Sequence, residues 1–306
     1  MTEEVEPPIE RQRCGFVAVL GAPNAGKSTL ANALVGQKVA ITSSTPQTTR
    51  TRVIGVAIEG DAQIVLTDTP GIMAPRRRLE RAMVAAAWGS AEGADAVAFV
   101  VDAARGLDAK ASAVLDLLAN RREPRLLVLN KVDLVRKDAL LTLASAINER
   151  LRFDEVFFIA AASGDGVAEL KAHLAGRMPA QPWHYPADEV TDVSERLLAA
   201  EITREQLFRQ LRAELPHDSA VETEKFTSRA DGSVEIHQQI LVARDSQKAI
   251  VLGKGGTRIR ALGTAARAEI TEQLGRPAHL YLHVKVKPDW DEDRSLYRDI
   301  GLDWVD

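Results

Sequence analysis

Short apolar runs alternate with longer amphipathic segments along the first half of the chain. Several of these runs are apolar throughout, which is typical of strands that helices cover on both faces of a sheet. The runs that predict strands are GFVAVLG (15–21), RVIGVAIEG (52–60), AQIVLTD (62–68), AVAFVVD (96–102), RLLVLN (125–130) and EVFFIA (155–160). The tight connection at residues 59–61 favours a hairpin, whereas crossover-length segments separate the other strands. The pattern predicts an α/β domain with a mostly parallel six-stranded sheet and one antiparallel edge.

The pattern changes after RMPAQPWHYPADEV (177–190), which contains three prolines and has no periodicity. We therefore expect a linker at 181–193, preceded by a domain over 14–180 and a disordered acidic tail at 1–13. Beyond the linker the pattern indicates a helix at 194–215, followed by two strands at 220–226 and 234–242. A short helix up to about 251, a glycine loop at 253–256, a second helix at 257–274 and a strand at 280–286 complete the order. This α-β-β-α-α-β order predicts a second, α+β domain over 194–306.

The composition limits the classes of protein to which this chain can belong. A length of 306 residues is enough for two domains, and 45% apolar and 27% charged residues are typical of a soluble globular protein. The sequence contains no uninterrupted run of about 18 apolar residues, so it does not predict a membrane span. A single cysteine, Cys14, excludes an internal disulfide, and the six histidines lack zinc-ligand spacing. We expect a cytoplasmic protein.

The segment GAPNAGKST (21–29) follows a predicted strand and opens a helix-like run, which is the context that a phosphate loop requires. Its glycines let backbone N–H groups curl around phosphate oxygens at a helix N-terminus. Lys27 is expected to reach the β- and γ-phosphates, and the Ser28 hydroxyl to bind Mg²⁺. The predicted nucleotide contacts in this loop are Gly21, Asn24, Ala25, Gly26, Lys27, Ser28 and Thr29.

Two further motifs close predicted strands. In DTPG (68–71), Asp68 is suited to hold Mg²⁺ through water, and the Gly71 N–H to sense the γ-phosphate. In NKVD (130–133), Asp133 can accept two hydrogen bonds from guanine, which adenine cannot supply. Lys131 can lie over the base, and Asn130 can tie its loop to the phosphate loop. The motifs in this order predict GTP or GDP, with Mg²⁺, as the ligand.

A second glycine loop, GKGG (253–256), has no glycine at position 248 and follows a predicted helix, so it does not fit a phosphate loop. Two helices joined by a bare glycine turn form a clamp that a nucleic-acid backbone can approach closely. Residues 244–287 contain nine Lys or Arg residues and three acidic residues, although the whole chain has a net charge of −4. The predicted RNA contacts are Lys248, Ile250, Val251, Gly253, Lys254, Gly255, Gly256, Arg258, Ile259 and Arg260. A glycine-rich turn with a solvated basic face is the structural alternative.

The first half, through its GAPNAGKST, DTPG and NKVD motifs, resembles the translation-factor-related GTPases. The resemblance implies that PQTTR (46–50) is the first switch, in which Thr49, or alternatively Thr48, completes the Mg²⁺ shell in the GTP state. It also implies a base-closing segment at Ala160, Ala161 and Ala162, where the family usually has Ser-Ala. The Ala161 N–H would contact guanine O6, while Ala160 lacks the usual hydroxyl.

Ile72 follows DTPG, at the place where Ras-type enzymes carry the glutamine that orients the attacking water. Related GTPases with a hydrophobic residue there and an asparagine in the phosphate loop use K⁺. We therefore expect slow hydrolysis of GTP that K⁺ accelerates through Asn24. The residues expected to act in catalysis are Asn24, Lys27, Thr49 and Gly71.

The second half resembles a type II KH domain. Together with the single preceding GTPase domain, it resembles the Era family of ribosome-assembly GTPases over about residues 14 to 300. In the second half, the segments that carry this resemblance are AELPHDSAVE (213–222), QQILVARDSQKAIVLGKGGTRIRALG (238–263) and HLYLHVKVKPDW (279–290). The resemblance implies binding to the single-stranded 3′ end of small-subunit ribosomal RNA during maturation of the small ribosomal subunit. We expect the protein to be a monomer. GTP would favour the RNA-bound state.

Two other functions stay open. Ile72 favours an RNA-binding module in which GTP is mainly a structural ligand. A membrane-associated cell-cycle signalling GTPase, with peripheral membrane contact, is the other alternative. The sequence has no lipidation motif and no strongly basic amphipathic terminus to support it.

Overall fold

The computed structural model describes residues 7–43, 45, 48–211 and 215–305. The chain forms two compact units. The first contains residues 1–40 and 49–192, and the second contains residues 41–48 and 193–306.

The first unit is built on a six-stranded sheet in the order β2-β3-β1-β4-β5-β6. Its strands are β1 (Arg13–Gly21), β2 (Val53–Glu59), β3 (Ala62–Asp68), β4 (Ala96–Asp102), β5 (Arg125–Asn130) and β6 (Glu155–Ile159). All neighbouring strands pair in parallel except β2 and β3, which form an antiparallel hairpin closed at Gly60 and Asp61. The predicted mostly parallel sheet with one antiparallel edge is confirmed.

Helices cover both faces of this sheet. They are α1 (Lys27–Val35), α2 (Arg78–Ala91), α3 (Ala109–Leu118), α4 (Lys137–Arg150) and α5 (Val167–Arg177). Alternate residues of β1 point to opposite faces: Val17 and Val19 join a core with α1 and α5, whereas Ala18 and Leu20 join one with α2, α3 and α4. Because β1, β3, β4 and β5 run in parallel, their carboxyl ends meet at one edge, which brings the strand-end motifs together.

The start of the described chain packs on the first unit. Ile9–Arg11 form a 3-10 turn, and the side chain of Gln12 is buried and accepts a hydrogen bond from Trp183 N at 2.9 Å. The prediction of a disordered tail is therefore wrong for residues 7–13. Residues 1–6 lie outside the described part of the chain.

The stretch predicted as a linker also packs on the first unit as far as Asp192. The backbone carbonyl of Tyr185 accepts a hydrogen bond from Gln63 Nε2 at 2.8 Å, and that of Val190 accepts one from Val56 N at 2.8 Å. Cys14 lies beneath this stretch, fully buried, and burial raises the pKa of its thiol. The proline-rich composition thus marks an extended strap.

The second unit has the α-β-β-α-α-β order that the sequence predicts. Its elements are α6 (Glu195–Gln210), β7 (Ser219–Ser228), β8 (Val234–Val242), α7 (Asp245–Leu252), α8 (Thr257–Leu274), β9 (Ala278–Val286) and a final short helix, α9 (Arg294–Asp299). In the sheet β7-β8-β9, β7 and β8 are antiparallel and β8 and β9 are parallel. Helix α6 ends at Gln210, earlier than the expected 215, and residues 212–214 lie outside the described chain.

Apolar residues from helices and strands form the core of the second unit. They include Leu207 of α6, Ile240 of β8, Val251 of α7, Leu262 of α8 and Val284 of β9. This core fixes α7 and α8 on the sheet and so positions the turn between them. Among the helices in the described part of the chain, none is both long and apolar enough to cross a membrane.

Candidate nucleotide site and second glycine loop

The first glycine loop links the end of β1 to the first turn of α1. Gly26 has φ 95°, and a Cβ at this position would lie 2.1 Å from Asn130 Nδ2, so only glycine fits. Lys27 Nζ donates hydrogen bonds to the carbonyl oxygens of Gly21 (3.3 Å) and Ala22 (3.2 Å). The ammonium group therefore lies over a turn whose following helix presents its N-terminus, which is a suitable place for phosphate.

Three hard oxygen ligands converge beside this lysine. Ser28 Oγ donates a hydrogen bond to Asp68 Oδ2 (2.6 Å) and lies 2.8 Å from Thr49 Oγ1. Asp68 Oδ1 is buried and has no hydrogen-bond partner among the described residues. The hydroxyl of Thr48 instead donates to Thr45 O at 2.7 Å. Two hydroxyls and a carboxylate with one unbonded oxygen are suitable ligands for Mg²⁺. Of the two candidate threonines, Thr49 is the one whose hydroxyl lies beside Ser28.

Lys27 and Asp68 are both buried charged groups. Burial lowers the pKa of Lys27 to about 8, opposed by the nearby Asp68 carboxylate. Burial raises the pKa of Asp68 to about 6, opposed by Lys27 and by the hydrogen bond from Ser28. Neither group is fully compensated inside the protein. An anionic phosphate beside the lysine and a cation beside the carboxylate would compensate both, which is typical of a binding site.

The DTPG turn is anchored to β1 and the phosphate loop. Thr69 Oγ1 donates to Val19 O (2.7 Å), and Ile72 N donates to Gly21 O (3.1 Å). Gly71 lies against the loop, since a Cβ there would be 2.7 Å from Pro23 Cα. The side chain of Ile72 is only 3% exposed and packs in the hydrophobic core, so it cannot orient a water molecule.

Asn130 connects the three loops of the expected base site. Its Nδ2 donates to Ala25 O (3.0 Å), and its Oδ1 accepts hydrogen bonds from Lys131 N (2.8 Å) and Ala161 N (3.0 Å). Asp133 is exposed in a 3-10 turn, and its carboxylate has no partner among the described residues. The tether predicted for Asn130 is thus formed, and the Asp133 carboxylate is available to a ligand.

The second glycine loop has a bare backbone. Helix α7 ends at Leu252, a 3-10 turn spans Lys254–Gly256, and α8 begins at Thr257. Gly255 has φ 60°, in the left-handed region that favours glycine, and a Cβ on it would meet nothing within 4 Å. The surface of the turn at Gly255 and Gly256 is therefore open to the close approach of a ligand.

Unpaired cations and one apolar side chain border this turn. The side chains of Lys248, Lys254 and Arg260 form no ion pair or hydrogen bond with other described residues. Arg258 donates from a terminal guanidinium nitrogen to Ile250 O (2.6 Å) and so crosses the turn. The side chain of Ile250 is 47% exposed. Free cations beside exposed backbone suit phosphate contacts.

Comparison with known proteins decides the family. The model of the family "50S ribosome-binding GTPase" matches residues 16–131, and the KH domain model matches residues 214–291. GTPase Era of Erythrobacter litoralis is 55% identical over 309 residues, covering 100% of both chains. GTPase Era of Afipia carboxidovorans is 53% identical over 99% of this chain and 98% of its own. The chain belongs to the Era family of GTPases.

Solved Era structures share the whole fold. Era in complex with MgGDPNP and nucleotides 1506–1542 of 16S ribosomal RNA has a TM-score of 0.90 at 36% identity, covering 95% of this chain and 99% of that one. An Aquifex aeolicus Era variant bound to GDP·AlF4⁻ gives the same TM-score, identity and coverage. The predicted Era resemblance, GTPase activity and two-domain fold class are confirmed.

The structure corrects one residue of the expected Era RNA groove. Val251 is fully buried in the core of the second unit with Leu262 and Val284, so it cannot line a groove floor. Ile259 is partly buried against the same core, and Ile250 is the exposed member of the apolar set. The helix turns Ile250 and Val251 to different surroundings, although they are neighbours in sequence.

The base-closing loop also differs from the expectation. The Ala161 N–H was expected to contact guanine O6, but it donates to Asn130 Oδ1. The next N–H, that of Ala162, has no partner among the described residues and is the unused donor. Although Ala160 has no hydroxyl, its carbonyl accepts hydrogen bonds from Ser163 N and Oγ (3.0 and 3.1 Å), which close the turn.

Asp102 is a residue of this site that the sequence motifs do not include. It ends β4 with 7% of its surface exposed, and Oδ2 accepts a hydrogen bond from Lys131 Nζ at 2.7 Å. The same Nζ donates to Asn24 O (3.0 Å), so Asp102 holds Lys131 against the phosphate loop. The sequence signal for Asp102 is its position as an acidic residue at the end of an apolar strand, on the same sheet edge as Asp68.

Proposed function

We propose that this chain binds GTP or GDP with Mg²⁺ at the first glycine loop and hydrolyses GTP slowly. We further propose that it binds single-stranded RNA at the second loop, specifically the 3′ end of small-subunit ribosomal RNA, and acts in the cytoplasm in assembly of the small ribosomal subunit. The observation that carries the first part is the convergence of Ser28, Thr49 and Asp68 beside Lys27. The observation that carries the second is the bare, cation-bordered turn at 253–256.

At the nucleotide site, Lys27 would neutralise the β- and γ-phosphates, while the Gly71 N–H would contact the γ-phosphate. Ser28, Thr49 and Asp68 would hold Mg²⁺, which supplies neutralisation of charge that develops on the phosphate oxygens. Asp133 would select guanine. With Ile72 in the core, no side chain at that position activates water, which is the physical reason for slow hydrolysis.

Potassium is the proposed additional cation. Asn24 lies in the phosphate loop with φ 66°, a left-handed conformation that asparagine tolerates. Its backbone oxygen accepts a hydrogen bond from Lys131 at 3.0 Å, which fixes the loop at this point. We propose that Asn24 holds K⁺ beside the transferring phosphate and that this charge partly replaces the missing glutamine.

At the RNA site, the open surface at Gly255 and Gly256 would lie against the sugar-phosphate backbone. Lys248, Lys254 and Arg260 would contact phosphates, and Ile250 would contact an unstacked base. Arg258 donates a hydrogen bond to Ile250 O. We therefore propose that it stabilises the shape of the turn and also contributes positive charge to the RNA site.

Gly255→Asp tests the RNA assignment. The substitution places an anion and a strained backbone in the turn, so we expect the affinity for a 3′-terminal 16S RNA oligonucleotide to fall by about 10- to 100-fold at fixed salt. Gly275→Asp is the matched control, because Gly275 has φ 62° and no neighbour within 4 Å of its Cβ position, but caps the other end of α8. Equal losses in both variants, or no loss in Gly255→Asp, would remove the assignment.

The burial of Ile72 favours a second candidate, an RNA-binding module in which GTP serves mainly as a structural ligand. Such a protein would bind RNA equally well with GDP and with GTP. Single-turnover hydrolysis, measured with and without RNA, separates the two candidates. A rate that neither K⁺ nor RNA changes would support the structural role.

A further inference from the structure

A cleft lined mainly by charged residues lies on the first unit, at the edge of the sheet opposite the nucleotide site. It has a volume of about 530 Å³, and we call it the arginine cleft; its charged lining residues are Arg122, Glu123, Arg125, Arg152, Asp154 and Arg177. Arg125 is the first residue of β5, and Asp154 directly precedes β6. Since the amino ends of parallel strands share the edge opposite to their carboxyl ends, the cleft is remote from Asp68 and Asn130.

Arg125 is held in the arginine cleft by backbone carbonyls. Its Nη1 donates a hydrogen bond to Leu118 O (3.3 Å), and its Nη2 donates one to Arg121 O (2.8 Å). Leu118 is the last residue of α3, where the helix dipole also favours a cation. These acceptors orient the guanidinium group but carry no full negative charge. The arginine therefore keeps a net positive charge at a fixed position in the cleft.

The two acidic residues of the arginine cleft already have partners. Both carboxylate oxygens of Glu123 accept hydrogen bonds from Arg121, at 2.6 and 3.1 Å. Asp154 Oδ2 accepts a hydrogen bond from Arg125 N (3.0 Å) and lies 3.6 Å from Arg177 Nη1. These carboxylates are therefore not available to neutralise the remaining arginines of the cleft.

Two further arginines of the cleft are exposed and unpaired. The side chains of Arg122 and Arg152 form no ion pair or hydrogen bond with other described residues. Four arginines against two acidic residues give the lining an excess of two positive charges, in a chain whose net charge is −4. Because like charges in one cleft repel each other, an anionic ligand would stabilise this arrangement.

The shape and lining of the arginine cleft indicate the class of anion. Six of its nine lining residues are exposed and none is buried, whereas a site for a small molecule encloses most of its ligand. No aromatic residue is among the nine, so the cleft offers a nucleobase no ring on which to stack. Guanidinium groups match the oxygens of a phosphate group in geometry and charge. These features fit the sugar-phosphate backbone of a nucleic acid.

We propose that the arginine cleft is a second RNA-binding site, which contacts phosphates of RNA outside the single-stranded 3′ segment. The inference rests on the proposed binding of small-subunit ribosomal RNA, of which the 3′ segment is a small part. Contacts to phosphate carry no sequence information, so the cleft adds affinity and not base selectivity. The cleft shares no residue with the nucleotide site, so its contribution to RNA affinity should be the same with GDP and with a GTP analogue.

Arg122→Gln/Arg152→Gln in the full chain tests the proposal with two RNAs. For full-length 16S ribosomal RNA, we expect the affinity to fall by about 10-fold at fixed salt, because two phosphate contacts are lost. The slope of the logarithm of the affinity against the logarithm of the salt concentration should become shallower by about 1.5. For the 3′-terminal 16S RNA oligonucleotide, the affinity should stay within about twofold of wild type.

Lys110→Gln/Arg136→Gln is the matched control. It also removes two exposed cations of the first unit, and neither residue lines the arginine cleft. Its affinity for both RNAs should stay within about twofold of wild type. Arg122→Lys/Arg152→Lys should retain most of the affinity for full-length RNA, because it keeps both charges.

Hydrogen exchange of the β5 amides reports whether each variant stays folded. If Arg122→Gln/Arg152→Gln unfolds, Arg152→Gln alone should show a loss of about threefold for full-length RNA. Unchanged affinity for full-length RNA in a folded cleft variant, or equal losses in the cleft and control variants, would overturn the proposal. An equal loss for the oligonucleotide would also overturn it, since the cleft would then not be a separate site.

Two other outcomes are distinguishable. Weaker binding of polyglutamate together with unchanged RNA affinity would assign the arginine cleft to an acidic protein segment and would overturn the proposal. Failure of the wild type to bind the oligonucleotide would instead refute the proposed RNA site at the second glycine loop.

Discussion

Asp68→Asn should stabilise the nucleotide-free protein at neutral pH while abolishing its response to Mg²⁺. Burial raises the pKa of Asp68 from 3.8 to about 6 in the folded chain, so ionisation of this group opposes folding. A difference of about 2 units corresponds to about 3 kcal/mol at 1.36 kcal/mol per unit. The amide oxygen of asparagine can still accept the hydrogen bond from Ser28, so this penalty is removed without breaking that contact.

The sign of the pH dependence follows from these two pKa values. Below pH 3.8 the carboxyl is protonated in both states, and the asparagine variant should gain nothing. Between pH 3.8 and about 6 the unfolded state releases its proton first, and the penalty grows to its full size. The gain in the free energy of unfolding should therefore be near zero at pH 3.5 and about 3 kcal/mol at pH 7.5.

Native-state hydrogen exchange of the amides in β1 and β3 measures this free energy for the first unit alone, in the nucleotide-free chain. Asp102→Asn is the control, because it breaks the 2.7 Å ion pair with Lys131 and should destabilise the unit by roughly 1–3 kcal/mol. Stabilisation of Asp68→Asn that is equal at both pH values, or destabilisation at pH 7.5, would refute the assignment of Asp68 as an uncompensated buried carboxylate.

Four other substitutions give distinct results. Lys27→Ala should weaken GTP binding by more than about 100-fold in calorimetry, since it removes the buried cation at the phosphates, and retained exchange protection in β8 would show that the second unit stays folded. Asn24→Ala should abolish the difference between hydrolysis rates in K⁺ and Na⁺, and a wild-type rate identical in the two salts would contradict the potassium proposal. Ile250→Ala should weaken RNA binding by about threefold to tenfold with unchanged stability. Val251→Ala should instead lower the free energy of unfolding of the second unit by roughly 2 kcal/mol with unchanged RNA affinity. The opposite pattern would contradict the burial of Val251.

Local chemistry made much of this molecule predictable. The phosphate loop needs glycine at position 26, and the apolar strands end in Asp68 and Asn130, so spacing alone placed these groups at one sheet edge. The type and order of the elements followed from apolar periodicity in the same way.

Features that depend on long-range contacts could not be predicted. Residues 250–252 are all apolar in a helix of eight residues, so periodicity does not decide that Val251 faces the core. The strap at 181–192 has the composition of a linker, and only its hydrogen bonds with β2 and Gln63 reveal its packing. The hydrogen bonds of Arg204 with Thr48 O and of Glu205 with Thr42 N join residues that are 156 and 163 positions apart in the sequence.

The central claim is that the nucleotide at the first glycine loop controls RNA binding at the second. The most direct test measures the affinity of the full chain for the 3′-terminal 16S RNA oligonucleotide at fixed salt, with GDP and with a non-hydrolysable GTP analogue. We expect about tenfold tighter binding with the GTP analogue, and by linkage an equal tightening of the analogue when RNA is present. Equal RNA affinity in the two nucleotide states would contradict the account.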